Sequence, residues 1–329
     1  MPLILETIAA LPANYRPQDV LALHSRDTQQ RSEKVEGLHI SKGVTWQGRP
    51  ALLQLQIGLG QERLGQKGPG QERPGEQTHG QVQARLTVDG LRKGKLAAAN
   101  AQQLALNAMV SRMLGLGDGA DQLERQHAQH PVLGPLLRSQ AGLRVPASST
   151  PFEALVLAIT GQQISVAAAI ALRRRLIETA SVQHSSGLLC HPDAAALAAL
   201  TPEQLRAAGF SVSKIATLER VCAAIADGAL PLDTWAAQPM EADSARALEA
   251  ALLAIKGIGP WTVHYALLRG FGWLDGSLHG DVAVRNALAR LLDVPSVSQR
   301  EAEQWLGAFS PWRALVAAHL WASLSAKSY

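Results

Sequence analysis

The stretch Ala254-Ile255-Lys256-Gly257-Ile258-Gly259-Pro260-Trp261-Thr262 places two glycines around one apolar residue and follows them with a proline. A helical pattern runs from about Asp243 to Lys256, and Pro260 suits the first turn of a second helix, where its missing N–H is not needed. The spacing therefore predicts a helix, a hairpin and a helix over about 243–271. Glycines at 257 and 259 allow backbone angles and a close approach that a Cβ would block. The hairpin N–H groups and the positive end of the second helix can then face an anion such as a phosphate oxygen. A tight turn that only reverses the chain would use the same glycines, so the motif alone leaves both readings open.

Downstream, Gly270, Gly272, Gly276 and Gly280 punctuate a loop that delivers Asp281 to the start of an apolar-periodic helix, Val282 to Leu292. An aspartate in that place is by itself most simply an N-cap. Upstream, Thr160-Gly161-Gln162-Gln163-Ile164-Ser165 sets two glutamines between an apolar helix and the next apolar run, a poor position for core residues. From Pro151 onward β signals vanish. Thr201 with Gln204 and Ser298 with Glu301 read as capping boxes, and Gly209, Gly228 and Gly257 fall where helices should stop.

The N-terminal part differs. Val35 to Val44, Pro50 to Ile57 and Gln81 to Val88 are β-prone runs, the last two alternating in hydrophobicity. Residues 58–80 repeat GQER, are rich in Gly, Gln and charge, and are expected to be a disordered loop joining two strands. Ala97 to Leu114 reads as a helix that can cover the sheet. The expected fold class is α+β, with mixed α/β structure first and helices after it.

The chain has 329 residues, 47% hydrophobic and 18% charged, enough for two or three domains with buried cores. Two cysteines cannot build a disulfide framework or a four-cysteine metal or iron–sulfur site. No metal or other cofactor is expected, because the histidines fall among apolar helical neighbours or alone. No secretory signal opens the chain, since Met1 to Ala10 lacks a basic region with an apolar core, and no uncharged span of membrane length follows. A cytoplasmic chain with no membrane partner is expected. The net charge of +4 permits a polyanionic partner only weakly. Seven Trp against four Phe and three Tyr is an odd division of the aromatics.

KGIGPWT, the glycine-rich loop and Asp281 together resemble the helix-hairpin-helix and Gly/Pro-rich-loop Asp superfamily of base-excision DNA glycosylases. PFEALVLAITGQQISVAAA at 151–169, GLRVP at 142–146 and PWRALVAAHLW at 311–321 narrow the resemblance to the DNA-3-methyladenine glycosylase II (AlkA-like) branch. It implies a TBP-like α/β domain over 1–147 and an all-helical glycosylase fold over 148–329, with the catalytic loop at 272–281. The implied activity is hydrolysis of the N-glycosidic bond of alkylated purines in double-stranded DNA by a monomer that flips the base and leaves an abasic site.

The resemblance also implies roles for residues. Asp281 would be the catalytic carboxylate, stabilising positive charge on the deoxyribose or orienting water. Bifunctional relatives carry a Schiff-base lysine as the second residue of the exit helix; here that residue is Trp261, which argues against strand cleavage. Trp261 and Tyr265, four apart on one helix face, would line the base pocket with Trp321 and favour a cationic base through cation–π attraction. Gly257, Ile258 and Gly259 would grip the DNA backbone, and Gln162 and Gln163 would enter the minor groove, with Gln163 in the wedge position. The Asp-bearing loop SLHGD lacks the family's proline, and the place of an N-terminal pocket aromatic falls near Ala22. These departures keep two alternatives open: a glycosylase for deaminated or oxidised bases, and a catalytically silent damage-binding module.

Overall fold

A computed structural model of the chain describes residues 2–60, 80–90 and 99–324. Five strands, β1 (Leu3–Ala10), β2 (Glu33–Glu36), β3 (His39–Trp46), β4 (Arg49–Gly58) and β5 (Gln81–Val88), form one sheet in the order β1-β5-β4-β3-β2. Every neighbouring pair is antiparallel. The run Val35 to Val44, expected as one strand, is split between β2 and β3. Gly37 adopts φ +58°, a left-handed value open to glycine, and turns the chain so that Glu36 pairs with His39.

β1 had no signal in the sequence. Its outward residues Ile4 and Ile8 are as apolar as its inward ones, which erases the period-two alternation, and its partner β5 lies far along the chain. The stretch 58–80 does connect two paired strands, since Gly58 lies opposite Gln81, but residues 61–79 fall outside the described part.

One sheet face is buried. Ile40, Leu53, Leu55, Val82 and Leu86 pack against Leu106, Met109, Val110 and Met113 of the second helix. Each fully buried side chain of this size contributes about 2 kcal/mol. The helices in chain order are α1 (Pro17–His24), α2 (Ala99–Leu114), α3 (Gly119–His127), α4 (Leu133–Ser139), α5 (Pro151–Gly161), α6 (Val166–Ala180), α7 (Ala194–Ala198) and α8 (Pro202–Ala207). They continue with α9 (Val212–Ala226), α10 (Leu232–Ala236), α11 (Ala242–Leu253), α12 (Pro260–Phe271), α13 (Val282–Leu291), α14 (Gln299–Gly307) and α15 (Arg313–Leu324). The expected order, strands first and helices after, is the order found, and both expected capping boxes close with the expected hydrogen bonds.

Two helical cores matter for function. One gathers side chains of α5, α6, α9 and α11, the other those of α3, α4, α13, α14 and α15. Helix α12 serves both: Val263, Ala266 and Leu267 enter the first core, while Leu268, Trp261 and Tyr265 pack against the second. A helix shared in this way leaves its N-terminal end at the seam between the cores.

The sheet is tied to the helices by buried charge. Lys42 of β3 donates to Glu33 of β2 and, at 2.8 Å, to Glu153 of α5; Arg173 of α6 donates to both carboxylates. Burial opposes ionisation of Glu33, but Lys42 and Arg173 outweigh it and hold its carboxyl well below the usual range. Arg173 is therefore buried within this network.

Candidate active site

The hairpin is built from the inside. α11 stops at Leu253, three residues before the sequence pattern ends, because the last turn tightens and Ile255 N–H donates to Leu252 O at 3.0 Å. Gly257 has φ +100°, and a Cβ there would lie 2.0 Å from Thr217 Oγ1 of α9, so both angle and space demand glycine. Arg220 Nη1 donates to Lys256 O at 3.2 Å, and Gln162 Nε2 donates to Gly257 O at 3.0 Å and to Thr262 Oγ1 at 2.9 Å.

Gln162 is thus a strut between the α5–α6 turn and the hairpin. Ile258 also faces inward: its side chain is buried in the first helical core, and its N–H donates to Ile255 O. Gly259 caps α12 and looks onto open space, with Pro260 at the first helical position. Of the first residues of α12, Trp261 reaches the cleft.

Asp281 is the N-cap of α13, its Oδ1 accepting from Val284 N–H at 3.0 Å. The structural role foreseen for it is real, and it is only part of what the carboxylate does. Trp321 Nε1 donates to the same oxygen at 3.2 Å, and Trp261 Nε1 donates to Oδ2 at 2.7 Å. Three donors from three elements orient one carboxylate.

The loop before it needs no proline to be held. Asp275 takes Arg313 Nε at 2.8 Å and Nη2 at 3.1 Å and accepts from Ser310 Oγ at 2.9 Å, while Leu278 is fully buried. This two-pronged clamp was invisible in the sequence, since Asp275 and Arg313 are distant along it.

Asp281 opens onto a cleft of about 650 Å³. One wall is aromatic: Trp261 and Tyr265 stack with centroids 5.3 Å apart at 28°, and Tyr265 meets Trp321 at 6.2 Å. The turn after α5 also lines the cleft. Gln163 sits there exposed with φ +60°, a left-handed value that few residues other than glycine adopt, followed by the exposed apolar pair Ile164 and Val166. Lys214 Nζ donates to Thr160 O at 2.7 Å and caps the end of α5 beneath this turn.

Near Ala22, where a pocket aromatic was sought, the side chain is exposed, and Arg26 lines the cleft in its stead. Sequence reasoning missed Arg26 because nothing local marks it. His319 is fully buried, paired with Gln140 Oε1 at 2.8 Å, and burial pushes its pKa down to about 3. Among the described residues, no group of three or more His, Cys, Asp or Glu could hold a metal ion, and no helix is long and apolar enough to cross a membrane.

The comparisons with known proteins fit this geometry. The chain is 31% identical over 192 residues to the DNA-3-methyladenine glycosylase 2 of Escherichia coli K12, covering 58% of this chain and 64% of the relative, just under two thirds of its length. The structure of a 3-methyladenine DNA glycosylase from Archaeoglobus fulgidus superposes with a TM-score of 0.63 over 97% of this chain and 96% of that one, at 19% identity, a likeness of fold. The Schizosaccharomyces pombe 3-methyladenine DNA glycosylase, solved in complex with abasic DNA, matches 61% of this chain and 95% of its own at 26% identity and a TM-score of 0.53. The model of the HhH-GPD superfamily base excision DNA repair proteins matches residues 156–310, which include the hairpin, Trp261, Tyr265 and Asp281.

Proposed function

We propose that this protein is a monofunctional DNA glycosylase that removes alkylated purines of the 3-methyladenine and 7-methylguanine type from duplex DNA, acting as a monomer and leaving an abasic site. The observation that carries the reading is the carboxylate of Asp281, held by two indole N–H groups at the mouth of an aromatic-walled cleft. The names of the relatives in E. coli and S. pombe support the same substrate class.

The chemistry follows from the parts. Stretching the bond between C1′ and the base nitrogen leaves positive charge on the deoxyribose, and a fixed carboxylate beside it stabilises that charge. Water adds to C1′ and gives up a proton, while the bonding pair departs with the base. Alkylation at N3 or N7 makes the base cationic, so it leaves without a general acid, and the stacked Trp261 and Tyr265 rings favour such a cation. Gln163 and Ile164 stand on the wall where they can fill the gap left by the flipped nucleotide. Gly257 and Gly259 shape the hairpin that holds the phosphates, with Ile258 anchoring it and Gln162 bracing it. The side chain at the exit helix is an indole, which cannot form a Schiff base.

The test is base release from duplexes containing 3-methyladenine or 7-methylguanine, followed by alkali. Wild type should release base and Asp281→Asn should not. Equal release by both overturns the catalytic role of Asp281, and strand nicking without alkali overturns the monofunctional reading.

A further inference from the structure

Among the described residues that line the cleft, Arg26 alone comes from the N-terminal region. Its position is fixed from both sides. His24 is buried with Nδ1 3.3 Å from Glu33 Oε2, inside the charge network that joins sheet and helices. Asp27 is buried as well; its Oδ1 accepts from Gln29 N–H at 3.2 Å and from Arg174 Nη1 at 3.4 Å, and its carbonyl accepts from Gln30 N–H at 3.0 Å. His24, two residues before Arg26, and Asp27, directly after it, are thus tied down, and the short segment between α1 and β2 presents an arginine to the cleft that holds Asp281, Trp261 and Tyr265.

The chemistry of these groups differs. Stacked aromatic rings accept the face of any purine and do not read its edge. Asp281 serves the sugar. A guanidinium offers five N–H donors, no acceptor, and a permanent positive charge. It therefore suits a base edge made of acceptors, disfavours one that offers an amino group, and opposes the cation–π preference of the Trp261–Tyr265 wall by repelling a cationic base. Oxygen at C6 with N7 beside it is the acceptor pair that an arginine fork matches.

We infer that Arg26 is a specificity-determining residue of the cleft and shifts its preference toward 6-oxopurines, above all the neutral deaminated base hypoxanthine, relative to 6-aminopurine lesions such as 3-methyladenine. The inference rests on the glycosylase reading and refines its substrate class. 7-Methylguanine is the intermediate case: it keeps the C6 oxygen but is cationic and has N7 blocked.

Single-turnover excision of hypoxanthine, 7-methylguanine and 3-methyladenine from otherwise identical duplexes by wild type, Arg26→Met and Arg26→Lys tests it. Methionine keeps length and removes charge and donors; lysine keeps charge and removes the fork. Losing a charge-assisted contact to the base is expected to lower hypoxanthine release by about tenfold or more in Arg26→Met. Release of 3-methyladenine should rise in the same variant, and 7-methylguanine should change least. Arg26→Lys should lose the hypoxanthine contact without gaining on 3-methyladenine.

An equal change on all three bases, or none, overturns the inference. If Arg26→Met does not fold, wild type alone decides. Its rate enhancement over spontaneous depurination should be greater for hypoxanthine than for unsubstituted purine, which lacks the C6 oxygen, and equal enhancements overturn the proposal. Release of none of the bases by wild type sinks the glycosylase reading and the inference with it. Normal release with an unaltered preference sinks the inference alone.

Discussion

Trp261 donates its indole N–H to Asp281 Oδ2 at 2.7 Å, so the residue that walls the cleft also aims the carboxylate. The two duties can be separated. Trp261→Phe keeps a ring and removes the donor. Hydrogen bonds to charged groups contribute about 1.5–3 kcal/mol, which predicts about a tenfold to hundredfold slower single-turnover release with near-unchanged affinity for an abasic-analogue duplex. An unchanged rate would show that Trp321 and Val284 suffice to orient Asp281.

The N-cap role of Asp281 predicts a divergence between two substitutions. Asparagine caps helices as well as aspartate, so Asp281→Asn should unfold near the wild-type temperature while losing base release. Asp281→Ala should lose release and also about 1 kcal/mol of stability as the cap of α13 disappears. Thermal melts of the pair beside their release rates separate the cap from the chemistry.

Gly257 answers to α9. A Cβ would lie 2.0 Å from Thr217 Oγ1, at a φ of +100° that an L side chain resists. Gly257→Ala should cost about 2 kcal/mol, from overpacking and the left-handed backbone together. Adding Thr217→Ala should return part of the stability, because it removes the hydroxyl, and not all of it, because the backbone angle stays. Chemical denaturation of the two singles and the double measures the coupling; strict additivity would contradict the contact.

Acid should destabilise the fold from a known direction. Burial of neutral imidazoles lowers His191 to about 4 and His319 to about 3 from 6.5. Below the unfolded value the unfolded chain takes up protons that the native state refuses. Stability is therefore complete above 6.5 and falls with pH until these groups titrate, by about 1.4 kcal/mol per pH unit for each histidine. Glu33, held below its ordinary value of 4.5, adds its loss only at lower pH. Denaturation curves at neutral and mildly acidic pH should show the decline, and His319→Gln should remove one histidine's share of the slope. An unchanged slope would contradict the burial argument.

Much of the site was legible because its signals are local. The glycine spacing at 257 and 259, the proline at 260 and the aspartate opening α13 are each punctuation that the backbone imposes within a few residues. Trp261 and Tyr265 could be set on one face by helical period alone, and the structure stacks them. The contacts that align those groups were not legible. The Asp275–Arg313 clamp, the Gln162 strut and the place of Arg26 each join residues far apart in the chain, with no periodic pattern to announce them. β1 was missed for the same reason, its partner β5 lying far along the chain, and because Ile4 and Ile8 on its outward face blur the alternation.

By itself the sequence determined where helices start and stop, that a glycine hairpin would precede a capping aspartate, and that no lysine stands at the exit helix. These follow from φ preferences, capping and side-chain chemistry, which act over a few residues. Only the tertiary structure decided that Asp281 faces two indole donors, that Ile258 turns inward while Gly259 looks outward, and that an arginine from the N-terminal region enters the cleft. Those outcomes depend on how α12 is shared between two cores and how a buried charge network ties the sheet to α5 and α6. Packing of that kind is a balance over the whole chain.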